Sequence, residues 1–93
     1  MIRSFGDKET EKLFNGQSPK KIESNIQRKA FRQLVQIHIS KNLIDLNTPP
    51  GNRLHALKGD LKDYYSISIN KQWRIIFQWD QGHAYEVEVV DYH

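Results

Sequence analysis

The last third of the chain alternates. In "YYSISIN", Tyr65, Ile67 and Ile69 fall on one side, and Ser66 and Ser68 on the other. "QWRIIFQW" repeats the pattern, with Trp73, Ile75, Phe77 and Trp79 opposed to Arg74, Ile76 and Gln78. "HAYEVEVV" sets Tyr85, Val87 and Val89 against Glu86 and Glu88. A period of two marks strands that bury one face. Asn70-Lys71 and Asp80-Gln81-Gly82 fall between these runs as tight turns. The three segments therefore read as an antiparallel meander.

The first half has a helical period. Ile22, Ile26, Ala30, Leu34 and Ile37 recur at spacings of four and three, and Phe31, Val35 and Ile39 widen the stripe. Ser18 reads as the cap and Pro19 as the first helical position, so the helix is expected from there to about Lys41. Ahead of it, Asp7 caps a shorter helix with Glu9 and Glu11 in its first turn, and Asn15-Gly16 stops it. "IRSF" at residues 2–5 and "RLHALKGD" at residues 53–60 are short strand candidates, and "NTPPGN" between them and the long helix is a loop. A sheet with one apolar face must cover it, and the helices are the available cover. The expected fold is α+β: two N-terminal helices packed on one face of a small twisted antiparallel sheet. Arg74, Gln78 and the Ser66/Ser68 pair would stand in the open on the other face.

With 93 residues the expected organisation is one domain, residues 1–93. The chain has no cysteine, which excludes disulfides and thiolate metal sites and suits a reducing compartment. The N-terminal segment lacks the apolar run of a signal peptide, and no stretch approaches the ~20 apolar residues of a membrane span. A cytoplasmic protein with no membrane partner is expected. The net charge is +3, a mild basic bias. It is concentrated: Lys20, Lys21, Arg28, Lys29, Arg32 and Lys41 face only Glu23 between residues 20 and 41, and the rest of the chain is net acidic. On a helical wheel Lys21, Arg28 and Arg32 fall within about 40° of one another. That face is either simply solvated or a contact for nucleic-acid phosphates or an acidic protein.

Phosphate-binding glycine loops, HExxH, GxSxG and calcium-loop patterns are absent. What remains is histidine beside acid and base. His55 lies between Arg53 and Lys58, and Asp91 and His93 lie at the end of the last strand. Two histidines, a carboxylate and nearby cations suit a phosphodiester transfer without metal or other cofactor. One group takes the proton of an RNA 2′-hydroxyl, another returns a proton to the leaving 5′-oxygen, and cations hold the phosphate as charge builds. DNA lacks the 2′-hydroxyl, so the chemistry would be specific to RNA. His38, on the helix, reads as structural or solvated, and His83 as a solvated turn residue. Arg74 carries more weight, because an arginine among Ile and Trp needs water, a partner or a substrate for its head. Asp91 and His93 share the parity of Val87 and Val89. The strand is therefore expected to end or bulge near Val90, turning the tail to the open face.

"RLHALKGD", "YSISINKQWRIIFQW" and "VEVVDYH", in that order behind two helices, resemble the HigB toxins of bacterial type II toxin–antitoxin systems, within the RelE/ParE superfamily. The resemblance implies a ribosome-dependent endoribonuclease that cuts messenger RNA in the A site of the 70S ribosome. It also implies a HigA-like helix-turn-helix antitoxin, through which alone the toxin meets operator DNA. It places His55, Asp91, Tyr92 and His93 in the catalytic set, with Asp91 or His93 as base and His55 as acid or orienter. Tyr92 would stack on a base, and Lys58 and Arg74 would stabilise the phosphorane. Arg53, Lys71, Lys21, Arg28 and Arg32 are then candidates for RNA and ribosome contact. The alternative of another class is a ParE-like toxin that binds DNA gyrase without cutting RNA.

Overall fold

The computed structural model describes residues 1–91. Helix α1 spans Lys8–Phe14, and Asp7 caps it by accepting a hydrogen bond from the Thr10 amide at 3.1 Å. Gly16 follows at φ 88, the left-handed position that glycine fills without strain. Helix α2 spans Ser24–Ile39 and starts later than the Ser-Pro signal suggests. Ser18 is engaged elsewhere: its hydroxyl donates to Gln27 Oε1 at 2.7 Å. The Gln27 amide in turn donates to the carbonyls of Pro19 (2.9 Å) and Ile22 (2.7 Å). These bonds satisfy the 18–22 segment as a turn, so it has no need of helical partners. Lys21 consequently lies before α2 and is not on a helical face with Arg28 and Arg32.

Four antiparallel strands follow in the order β1-β2-β3-β4: His55–Ala56, Tyr65–Ser68, Trp73–Asp80 and His83–Asp91. The β2–β3 turn is held by Asn70, whose Oδ1 accepts from the amides of Gln72 (2.8 Å) and Trp73 (2.7 Å). The β3–β4 turn has two central residues, Gln81 and Gly82, both at positive φ, the turn geometry that matches strand twist. The 2–5 segment runs parallel along the outer edge of β4 through bridges Ile2–Ala84 and Phe5–Val87. It fits closely there: a Cβ on Gly6 would meet Glu88 Oε1 at 2.6 Å.

The helices cover one sheet face. Ile26, Ala30, Leu34 and Ile37 of α2 share a core with Ile67, Ile75, Phe77, Val87 and Val89. Phe31 and Ile39, expected to widen that stripe, are instead exposed, Ile39 at 69%. The strand pattern also departs from expectation at one residue. Between Ile76 and Gln78 the β3–β4 register shifts, and Glu86 sits at φ 51. This bulge adds one residue to β4 and reverses parity before it. Ala84 is therefore fully buried, and Tyr85, expected in the core, pairs with Gln78 on the open face. No bulge occurs at Val90: Asp91 continues the ladder opposite Trp73.

A buried knot of amides joins the 46–53 loop to α2 and the sheet. Asn52, 3% exposed, donates from Nδ2 to Leu46 O at 3.0 Å and to Gln36 Oε1 at 3.2 Å. Gln33 donates from Nε2 to Asn52 Oδ1 at 3.2 Å and to Ser68 O at 2.8 Å. The loop carries the chain directly into Arg53 and β1, so this knot sets where β1 begins.

Asn52→Ala is expected to lower the unfolding free energy by about 2 kcal/mol, because it leaves buried carbonyls without donors. A denaturant midpoint equal to that of the parent protein contradicts this. Glu88 has a raised carboxyl pKa, mainly because burial disfavours its charge, with Asp7 and Glu86 adding repulsion. A raised acid pKa means that ionisation costs folding free energy above it and nothing once both states are protonated. Glu88→Gln is therefore expected to raise the melting temperature at pH 7. The gain fades as pH falls toward the ordinary value of 4.5, and thermal scans between pH 4 and 8 measure it.

Candidate nucleic-acid site

The open sheet face is organised in rows. Residues directly opposite in an antiparallel ladder point to the same side. One row runs His55, Ser66, Ile76, Glu88 across all four strands. The next runs Ser68, Arg74, Val90. His55 and Arg74 thus share a face, two strands apart and two residues apart in register, which is about 12 Å between their Cα atoms from standard strand spacings.

His55 is exposed at the sheet edge, and its Nδ1 lies 2.9 Å from the Arg53 carbonyl. A carbonyl only accepts, so Nδ1 carries the hydrogen and Nε2 is left for proton exchange. Arg53 adopts φ 49 and ψ 52, left-handed backbone that arginine rarely occupies. Its amide donates to Pro50 O at 3.1 Å, directly after the Asn52 knot that enforces the turn. Lys58 is exposed just beyond β1.

Ser66 and Ser68 do not stand in the open as expected. Ser66 is fully buried between His55 and Ile76, and its hydroxyl has no hydrogen-bond partner among the described residues. Ser68 is half-buried, and its hydroxyl donates to Asn70 O at 2.9 Å. Pattern alone does not reveal Ser66 as a buried residue, because its parity assigns it to the polar side.

Asp91 lies on β4, at the opposite sheet edge from His55, and has the parity of the core face. Its carboxylate is exposed and accepts from Gln72 Nε2 at 3.2 Å on each oxygen. It therefore closes the same end of the sheet as the β2–β3 turn. Tyr92 and His93, the other two members of the expected C-terminal set, lie outside the described residues.

The remaining cations divide. Lys71 and Arg53 line a cleft with Arg74. Lys29 joins them there, although the helical wheel did not select it. Arg32 lines a neighbouring groove with Gln33, Gln36 and Pro49. Arg28 borders a third, beside Phe31 and Leu13, and Lys21 a fourth, beside Glu9 and Lys12. Lys21 is thus set apart, while Arg28 and Arg32 stay one turn apart on the exposed side of α2, as the helical wheel expects. His38 has a structural place: its Nδ1 accepts from the Ile2 amide at 3.2 Å, and its ring packs on Phe14. His83 is half-buried beside the β3–β4 turn. Among the described residues no three His, Asp or Glu side chains gather to hold a metal ion.

Comparison with known proteins gives this geometry a context. A family profile described as "RelE-like toxin of type II toxin-antitoxin system HigB" matches residues 3–93. The chain is 40% identical to Toxin HigB-1 of Vibrio cholerae over 90% of both chains. It is 34% identical to Endoribonuclease HigB of Proteus vulgaris over the full length of both. The fold is shared with YafQ of E. coli (TM-score 0.58, 13% identity, 98% of this chain and 91% of that one). It is shared too with the conserved protein HP0894 of Helicobacter pylori (TM-score 0.55, 14% identity, 98% and 94%). These relatives lend nothing to the gyrase-binding ParE-like alternative. The full-length profile match and two relatives above 30% identity make the chain a member of the HigB-like toxins, the RelE-like family of type II toxin–antitoxin systems.

Proposed function

We propose that the protein is an endoribonuclease that cuts messenger RNA in the A site of the translating ribosome and so stops translation. The observation that carries this reading is the shared face of His55 and Arg74, with His55 Nδ1 committed to the Arg53 carbonyl. A fixed ring with a free Nε2 is suited to moving a proton, and a guanidinium on the same face is suited to a phosphate. That the Proteus relative is named an endoribonuclease agrees with this chemistry.

In this mechanism a base takes the 2′-hydroxyl proton as the 2′-oxygen bonds to phosphorus. The P–O5′ bond breaks, and an acid returns a proton to the 5′-oxygen. The fragments end in a 2′,3′-cyclic phosphate and a 5′-hydroxyl. His55 Nε2 is the acid or the group that orients it. Asp91, three strands away with the parity of the core face, does not reach the same phosphate, which leaves His93 as the base of the expected set. Arg74 and Lys58 stabilise the charge on the phosphorane, and Tyr92 stacks on a nucleobase. Ribosome dependence has a physical basis: a small open face makes few substrate contacts, and the ribosome holds the codon in place. The partners are the ribosome, its message and a HigA-like helix-turn-helix antitoxin that connects the toxin to operator DNA. The place of action is the cytoplasm, in keeping with the absence, among the described residues, of a helix able to cross a membrane.

Toe-printing of a translated message with purified protein is expected to show new stops within codons, while the same RNA without ribosomes stays intact. Gyrase-linked DNA breaks with no cut message reject the reading. His55→Ala is expected to slow cleavage about 100-fold or more with an unchanged melting temperature. His93→Ala is expected to restore growth to cells overexpressing the protein. Full toxicity in that variant rejects His93 as the base.

A further inference from the structure

Four cations from four separate stretches of chain converge on a cleft of about 370 Å³ at the β2–β3 turn. Lys29 comes from α2, Arg53 from the turn before β1, Lys71 from the β2–β3 turn and Arg74 from β3. No carboxylate and no aromatic ring lines it among the described residues. Lys29, Arg53 and Lys71 make no ion pair among the described residues. Concave walls of one charge concentrate the field between them, and a polyanion is the partner that relieves it. Without a ring to stack on, the cleft suits a phosphodiester and its sugar rather than a base.

We infer that this cleft is a second RNA subsite, holding a backbone phosphodiester of the message adjacent to the one that is cut. Lys29 and Lys71 are its binding residues. The inference rests on the endoribonuclease reading and adds to it a residue on α2. Arg74 belongs to both places: its row lies next to that of His55, and its side chain also borders the cleft. A strand crossing from His55 past Arg74 therefore enters the cleft with its next phosphate. Arg53, held by the loop turn two residues before His55, lines the cleft as well. The contact is to the backbone, so it adds affinity and register without codon preference.

Lys29→Gln tests this with programmed ribosomes and a defined message. The expected result is about a fivefold rise in the protein concentration giving half-maximal cleavage. The salt dependence should become shallower by about 0.7 in log–log slope, the contribution of one single-strand phosphate. The maximal single-turnover rate and the melting temperature should not change, and Lys29→Arg should restore binding. Messages carrying one neutral methylphosphonate linkage, stepped through positions flanking the cut, complete the cycle. At one position the parent protein should lose affinity as Lys29→Gln does, and the variant should lose nothing more. Half-saturation equal to the parent's overturns the subsite while leaving the nuclease reading intact. A fall in maximal rate with unchanged half-saturation overturns it as well. If the variant's loss persists on every neutral-linkage message, the lysine meets ribosomal RNA instead, and the assignment to the message is wrong. A parent protein that cuts no message rejects the nuclease reading, and the subsite with it.

Discussion

The Asn52–Gln33 amide knot decides where the functional face begins. One buried side chain holds the 46–52 loop against α2, and its partner on α2 holds the end of β2 through Ser68. β1 is only two residues long, too short to fix its own position by pairing. The knot does that for it. It forces Arg53 into left-handed backbone and so presents the Arg53 carbonyl to His55. A local strain in one residue thus orients the histidine ring, while the cost is met by buried hydrogen bonds nearby.

The second organising feature is a separation of charge across the sheet. Arg53, Lys71, Arg74 and Lys29 gather at the cleft by the β2–β3 turn. The carboxylates Glu86, Glu88 and Asp91 lie on β4 at the far edge, with Asp7 close enough to push the Glu88 pKa up after burial has done most of that work. A nucleic-acid backbone is attracted to the cleft and repelled from the β4 edge. The bulge contributes to this arrangement. By reversing parity it buries Ala84 and turns Tyr85 outward beside Gln78, giving the β3–β4 end of the face a polar aromatic surface.

Much of this was legible in the pattern of residues. The core side of β2 and β3, the stripe Ile26–Ala30–Leu34–Ile37, the Asp7 cap and both turns follow from periodicity and turn chemistry. What was not legible depends on contacts between distant segments. The start of α2 is set by the Gln27 side chain, which takes over the loop that Ser18 and Pro19 advertise as helix. Tyr85 was misplaced because a bulge changes parity without a glycine to mark it. Lys29 was passed over because a helical wheel groups cations by angle and knows nothing of the loop that folds back beside them. At the site itself, residue types and spacing singled out His55, Arg74 and Asp91. Sequence carries no information on the register that sets Asp91 at the far sheet edge, opposite Trp73.

The account depends on a phosphodiester transfer that uses the RNA's own 2′-oxygen and needs only side chains of this chain. The chemical ends of the fragments report on that step directly. Mass spectrometry of a message cut on ribosomes should find a 2′,3′-cyclic phosphate, or its opened 3′-phosphate, on the upstream piece and a 5′-hydroxyl on the downstream piece. A 3′-hydroxyl paired with a 5′-phosphate would mean that water, not the 2′-oxygen, attacked phosphorus, and would contradict the account.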